Sequence, residues 1–386
     1  MKTILLISLV TICLLAGMGA VSAYTTPESI VASGKVYVSG ITYDPAAFFS
    51  GDTGTVAFDV TNGNTDQGIV INHATFADQL SDFKLLSGTY DYSATVGPGK
   101  TQTFTFNIKA DASDGTYYPM FSISFRDADS LWEKTMVKID NTPLILTVID
   151  KPDAFTEGRK KTITVQVANP RNNDVKNVIL EATGPGITAT PSKYFIGNMA
   201  AGGNQSIDVA ITPDRASTLT LSLQYNNGDN LHTVTTDLPL NFGTDKKEAN
   251  PIVSNIIVKT ENGLYHVTGD VTNAGLETAN SVTVTSLDPA VPQDPYRNYV
   301  VGALKPDDFG SFEVTFSATN ATKVPLQMSF KDADGNLISS VYDVKIPSLS
   351  ATSQNSGLPI VPIIAVIIIL AVFAGGWFWY LHRKKQ

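Results

Sequence analysis

The chain has 386 residues, 43% of them hydrophobic and 16% charged, and a formal net charge of −9. That length accommodates several domains, and the abundance of Gly, Pro, Asn, Ser and Thr suits a β-rich exported protein rather than a disordered one. The acidic balance argues against nucleic acid as a partner.

Met1–Ala23 reads as a signal peptide: Lys2 is its positive start, Ile4–Leu15 its apolar core, and Val21-Ser22-Ala23 supplies small residues for cleavage. The single cysteine, Cys13, lies inside that core, and Val10-Thr11-Ile12 before it does not make a lipoprotein box. The mature chain is therefore expected to hold no cysteine, so its stability must come from packed cores. Tyr24–Ser33 follows as a short polar lead.

One stretch then recurs three times: T-V-A-F-D-V-T-N at Thr55–Asn62, T-I-T-V-Q-V-A-N at Thr162–Asn169 and H-V-T-G-D-V-T-N at His266–Asn273. Each is an alternating strand that ends on Asn and enters a polar turn. The asparagines lie 107 and 104 residues apart, the length of one small domain. Three modules are expected, at 34–139, 143–241 and 252–346. Later in each comes a second alternating strand, carrying Phe104, Phe106 and Ile108, then Ile207, Val209 and Ile211, then Phe312, Val314 and Phe316. Gly97, Gly197 and Gly302 mark equivalent turns. The closing hairpins turn at Asp127–Ser130, Asn226–Asp229 and Asp332–Gly335. Gly269 replaces a bulky residue in the third copy. Phe242–Pro251 reads as the interdomain linker.

Short strands with turns every 8–12 residues and no helical period predict an all-β chain of three tandem immunoglobulin-like β-sandwich modules. A closed barrel is the alternative. Pro347–Gly357 is a Ser-rich stalk. Leu358–Leu381 is 24 residues without charge, about 36 Å as a helix and enough to span a bilayer. Trp377, Phe378, Trp379 and Tyr380 form an aromatic belt before the basic tail at 382–386, whose Arg383, Lys384 and Lys385 place it in the cytoplasm. The expected topology is a single-pass type I cell-membrane protein with its ectodomain outside. Removing Lys2, Arg383, Lys384 and Lys385 takes the formal charge from −9 to −13 on the exported part.

The order of strand, V-x-N, polar turn, strand, glycine turn and alternating strand resembles the cell-adhesion-related (CARDB-type) repeats of bacterial and archaeal surface proteins. Val38–Asn62, with D-P-A-A-F-F-S-G-D before V-A-F-D-V-T-N, is similar to archaeal S-layer-related envelope proteins. Gly269 and the lack of an acidic end motif depart from the pattern. The resemblance implies surface attachment, adhesion or a role beside a membrane transporter such as an ABC-type exporter. It brings no catalytic residues.

The residues themselves point the same way. His73, His232, His266 and His382 show no paired spacing for zinc. No nucleophile elbow, phosphate loop or dinucleotide fingerprint occurs. No catalytic residue and no cofactor is expected. Asp332 and Asp334 make a weak Ca²⁺ candidate, against a simple turn reading. Asn204-Gln-Ser206 and Asn320-Ala-Thr322 are glycosylation candidates. Trp377, Trp379, Tyr380, Arg383, Lys384 and Lys385 are membrane-interface candidates. The first module has extra aromatics, Phe48, Phe49, Tyr90 and Tyr92, expected to divide between core packing and partner contact. Expected partners are the membrane, crossed once, surface proteins or polysaccharide, and in the alternative reading a transporter.

Overall fold

The computed structural model describes residues 26–77, 82–347 and 360–383. The expected signal peptide, Cys13, nearly all of the Ser-rich stalk, and Lys384 and Lys385 lie outside the described residues.

The described chain is built mostly of antiparallel sheets around three separate hydrophobic cores. The residues around these cores are called the first, second and third lobes below. In the first lobe one sheet has the order β1 (Val36–Asp44), β2 (Thr53–Asn62), β6 (Thr101–Ala110), β4 (Phe83–Leu85). The other runs β5 (Ala94–Val96), β3 (Ile69–Ala77), β8 (Met120–Phe125), β9 (Leu131–Lys134), and a small pair joins β7 (Gly115–Tyr117) to β10 (Val137–Ile139).

The second lobe repeats the order with β11 (Ile145–Asp150), β12 (Lys161–Ala168), β16 (Asn204–Pro213), β14 (Ile187–Thr190), facing β15 (Lys193–Met199), β13 (Val175–Thr183), β17 (Ser217–Asn227), β18 (Asn230–Leu240). The third has β19 (Pro251–Glu261), β20 (Leu264–Asn273), β24 (Phe309–Ser317), β22 (Val291–Pro292), and β23 (Asn298–Leu304), β21 (Ala279–Ser286), β25 (Lys323–Lys331), β26 (Leu337–Lys345). The repeated asparagine strand is β2, β12 or β20, always second in its sheet.

Strand alternation decides what is buried. Val56, Phe58, Val60, Ile163, Val165, Val167, Val267 and Val271 are fully buried. Of the nine inward positions in the later strand, eight are buried, and Ile207 is half-buried against the second core. Gly269 pairs with Phe312 across the sheet. A Cβ at Gly269 would lie 2.8 Å from the Phe312 ring, so the ring fills the space the glycine leaves.

The three asparagines act alike, and all are buried. Asn62 Nδ2 donates to Gln67 O and Val96 O at 2.8 and 2.9 Å. Asn169 Nδ2 donates to Asn173 O and Ala200 O at 3.0 and 3.1 Å. Asn273 Nδ2 donates to Glu277 O and Leu304 O at 2.7 and 3.0 Å. Each side chain therefore ties the turn after its own strand to a carbonyl of the other sheet's edge, at the end of β5 or β23 or just past β15.

One correction to the sequence expectations follows. The lead before the first lobe is not an irregular polar segment: Thr26–Ser33 forms a helix, α1, and Ala32 is buried in the first core. The chain forms two compact units, Met1–Lys247 with the first two cores and Glu248–Gln386 with the third. The expected linker Phe242–Pro251 contains this division, but its first half is anchored within the first unit. Phe242 bridges to Phe155, and the buried Asp245 accepts from Asp153 N and Lys247 N at 3.2 and 3.1 Å.

The second unit ends in the helix α2, Ile360–Arg383, 24 residues long. Its side chains are described only at 366, 368–377, 379 and 383, and among the described residues no helix is long and apolar enough to cross a membrane.

Candidate functional site

A buried polar cluster inside the first unit lies where the first and second lobes meet. The loop between β1 and β2 brings Ala47, Phe49 and Asp52. The corner turn after β12 brings Arg171 and Asn173, and the β17–β18 hairpin brings Asn227, Asn230 and His232.

Phe49 belongs to the second core although its loop belongs to the first lobe. Its ring stacks on His232 with centroids 4.0 Å apart, and the Arg171 guanidinium carbon sits 3.8 Å from its centre. This is cation–π geometry in a desolvated place.

Arg171 is only 1% exposed. Its Nη1 donates to Asp140 O at 2.5 Å and Thr142 O at 2.9 Å, its Nη2 to Ala47 O at 3.2 Å, and its Nε to Asn173 Oδ1 at 3.1 Å. Burial pulls its pKa below the usual arginine range, while Asp140, Tyr225, Asp52 and Asp114 oppose that shift. Burial alone would raise the Asp140 carboxyl. Hydrogen bonds from Thr142, followed by the charges of Arg171 and Lys138, hold it below its usual value.

Asp52 is the anionic counterpart. Its Oδ2 accepts from Phe49 N at 3.0 Å and Asn227 Nδ2 at 2.8 Å, and its Oδ1 pairs with His232 Nε2 at 2.9 Å. Asn227, fully buried, also donates to Ala47 O at 2.9 Å and accepts from Asn173 Nδ2 at 2.8 Å. Asn230 closes the edge: its Oδ1 accepts from Thr53 N at 2.9 Å and its Nδ2 donates to Thr53 O at 2.7 Å. Gly228 has φ +59, and a Cβ there would lie 2.9 Å from Pro45 Cδ, so a bare hairpin tip is required.

The chemistry of this cluster is that of a clamp. Its carboxylate, amides and guanidinium spend their bonds on one another and on backbone groups, as buried ions must. His232 is thus a half-buried partner of Asp52 within the cluster.

The residues singled out from sequence do not converge. Asp332 is buried, and its two oxygens accept from Asn336 N and Asn336 Nδ2, each at 2.8 Å, within a tight hairpin turn. Asp334 is half-buried in the same turn, and among the described residues no group of three His, Cys, Asp or Glu could hold a metal ion. Asn204 is exposed at the start of β16, with Ser206 exposed two residues on. Asn320 is exposed at φ +56 between β24 and β25, with Thr322 also exposed. Phe48 and Phe49 are buried; Tyr90 packs edge-on against Phe104 and Phe106; Tyr92 is exposed. Trp377 and Trp379 are exposed on α2, where the Arg383 guanidinium lies 4.7 Å from the Trp379 ring centre. Tyr380 falls within α2, and its side chain lies outside the described residues.

Sequence reasoning missed Arg171 and Asn173, and it read Asp52 only as part of the D-P-A-A-F-F-S-G-D stretch. A usable signal was present: the turn after the second asparagine reads P-R-N-N, and arginine is an unusual choice for a polar turn.

No family model matches the chain. An uncharacterized protein of Methanocaldococcus jannaschii is 26% identical over 254 residues, a match covering 62% of this chain and 46% of that relative. The chain thus matches less than half of the relative's length. A protein of unknown function from Porphyromonas gingivalis W83 is 14% identical, covering 54% of this chain and 100% of that one, with a TM-score of 0.21. Red sea bream transglutaminase is 14% identical, covering 53% and 31%, at 0.22. The E. coli chaperone DraB is 11% identical, covering 53% and 97%, at 0.19. At such TM-scores these likenesses carry no argument about fold or activity.

Proposed function

We propose that the protein is a non-catalytic, membrane-anchored cell-surface protein of the cell-adhesion-related, S-layer-related type. In this reading its three lobes are immunoglobulin-like sandwiches that present binding surface to envelope proteins or polysaccharide. The observation that carries the reading is the threefold recurrence of one strand order, with a sealed apolar core each time. Repetition of this kind supplies outer surface and spacing rather than a shared cleft.

The anchor is α2. Its described apolar side chains, Val366, Ile368, Ile369, Leu370, Val372 and Phe373, are all exposed, a costly arrangement in water and a favourable one in lipid. Trp377, Trp379, Tyr380 and the basic residues from Arg383 onward then sit at the inner interface, with the lobes outside and the tail in the cytoplasm.

Protease shaving of intact cells, followed by detection of a tag after Gln386, tests the topology. Loss of the lobes with a retained tag-bearing stub is expected; survival of the lobes would overturn it. Affinity capture from crosslinked membranes then tests the partner class. Recovery of envelope protein or polysaccharide supports the reading, and stoichiometric recovery of transporter subunits would replace it with an accessory-subunit role.

A further inference from the structure

Each corner asparagine accepts, through Oδ1, the backbone N–H two residues on. The donors are Asn64, Arg171 and Gly275, at 3.0, 3.1 and 3.1 Å. These bonds put three different residues at one equivalent place on the three lobes, and the residue type varies with what covers that place.

On the first lobe the cover is α1. Asn64 is buried, and its Nδ2 donates to Ala32 O near the helix end at 2.9 Å. On the third lobe the cover is the segment leading into that lobe. A Cβ at Gly275 would fall 2.1 Å from Glu248 O and 2.5 Å from Asn250 N, so no larger residue fits. On the second lobe the cover is the first lobe itself, reached by Arg171. The helix α1 therefore holds on the first lobe the place that the first lobe holds on the second, as a terminal cap does in a stacked array.

We propose that this is a coupling position, and that Arg171 in it locks the first two lobes into one cooperative body of fixed angle. The chemistry fits arginine specifically. The planar fork offers donors in several directions at once, and here they meet carbonyls from two stretches of chain, Ala47 on one side and Asp140 and Thr142 on the other. The guanidinium face meanwhile packs on Phe49. Lysine cannot make this set of contacts. Without arginine, three carbonyls lose a donor at a buried junction, so the cost falls on the connection between lobes. Whatever the first lobe presents is then held at a set orientation to the second. This inference goes beyond the surface-display reading and does not depend on it.

Native-state hydrogen exchange on the full chain, read by mass spectrometry, tests the proposal. Val165→Ala opens the second core alone, since Val165 is fully buried there. With Arg171 present, amides in β6 of the first lobe should exchange faster by the same factor as those in β16, about tenfold or more. In an Arg171→Met background, Val165→Ala should accelerate β16 and leave β6 at that background's rate. Acceleration confined to the second lobe in the wild-type background would overturn the coupling. Transmission that persists in Arg171→Met would overturn the role of Arg171. Asn230→Ala, a milder change at the same junction, should weaken transmission partly, and full transmission there together with an unfolded Arg171→Met protein would also count against the proposal.

Discussion

Asn62, Asn169 and Asn273 each give up water and recover their hydrogen bonds inside the protein. Asn273 serves Glu277 O and Leu304 O and accepts from Asn250 N and Gly275 N at 3.0 and 3.1 Å. Asn273→Ala leaves several buried backbone groups unpaired and should cost about 3 kcal/mol or more. Urea denaturation measures this, with the exposed Asn72→Ala as a control expected within about 0.5 kcal/mol of wild type. Asp140 sets a pH dependence. Its folded pKa is depressed, so its contribution is present above the unfolded carboxylate value of about 3.9 and is lost as pH falls through the folded value. The first unit should therefore lose stability below about pH 4. Asp140→Asn should flatten that decline in thermal melts taken across pH 2 to 6, roughly the carboxylate range.

At the level of elements, alternation carries most of the design, and the missing side chain at Gly269 is compensated. The glycine in β20 is tolerated because Phe312 on β24 lies over it. Phe312→Ala should destabilise the third lobe by about 3–5 kcal/mol. Adding Gly269→Val to that variant should recover part of the loss, while Gly269→Val alone should be harmful because the ring stands in the way. A double-mutant cycle by denaturation reads the coupling, and simple additivity would contradict the compensation. Hairpin chemistry is equally local. Asn262-Gly263 joins β19 to β20 with φ of 51° and 80°, the positive pair a two-residue hairpin needs.

At the level of the whole chain, two compact units hold three cores, and the single cysteine lies at position 13, within the expected signal segment. Reductant should leave the melting temperature of the exported protein unchanged in calorimetry. A fall of several degrees would mean that Cys13 is retained and crosslinks two chains.

Much of this was legible in one dimension. Strand periodicity is set by the two-residue repeat of the backbone, so burial of Val56, Phe58 and Val60, and of their counterparts, follows from the sequence alone. The recurrence of Asn62, Asn169 and Asn273 marked the repeat, and the turn residues marked the hairpins. The division of labour at equivalent positions could not be read that way. Asn64 and Gly275 look like ordinary turn residues, Arg171 shows only as an unusual residue in its turn, and Tyr24–Ser33 looks like a polar lead. Phe49 looks like a first-lobe residue, yet it packs in the second core. These assignments depend on which distant segment covers each lobe. Hydrogen bonding and desolvation at a junction join residues such as Asp52 and His232, 180 positions apart, and only the tertiary structure brings them together.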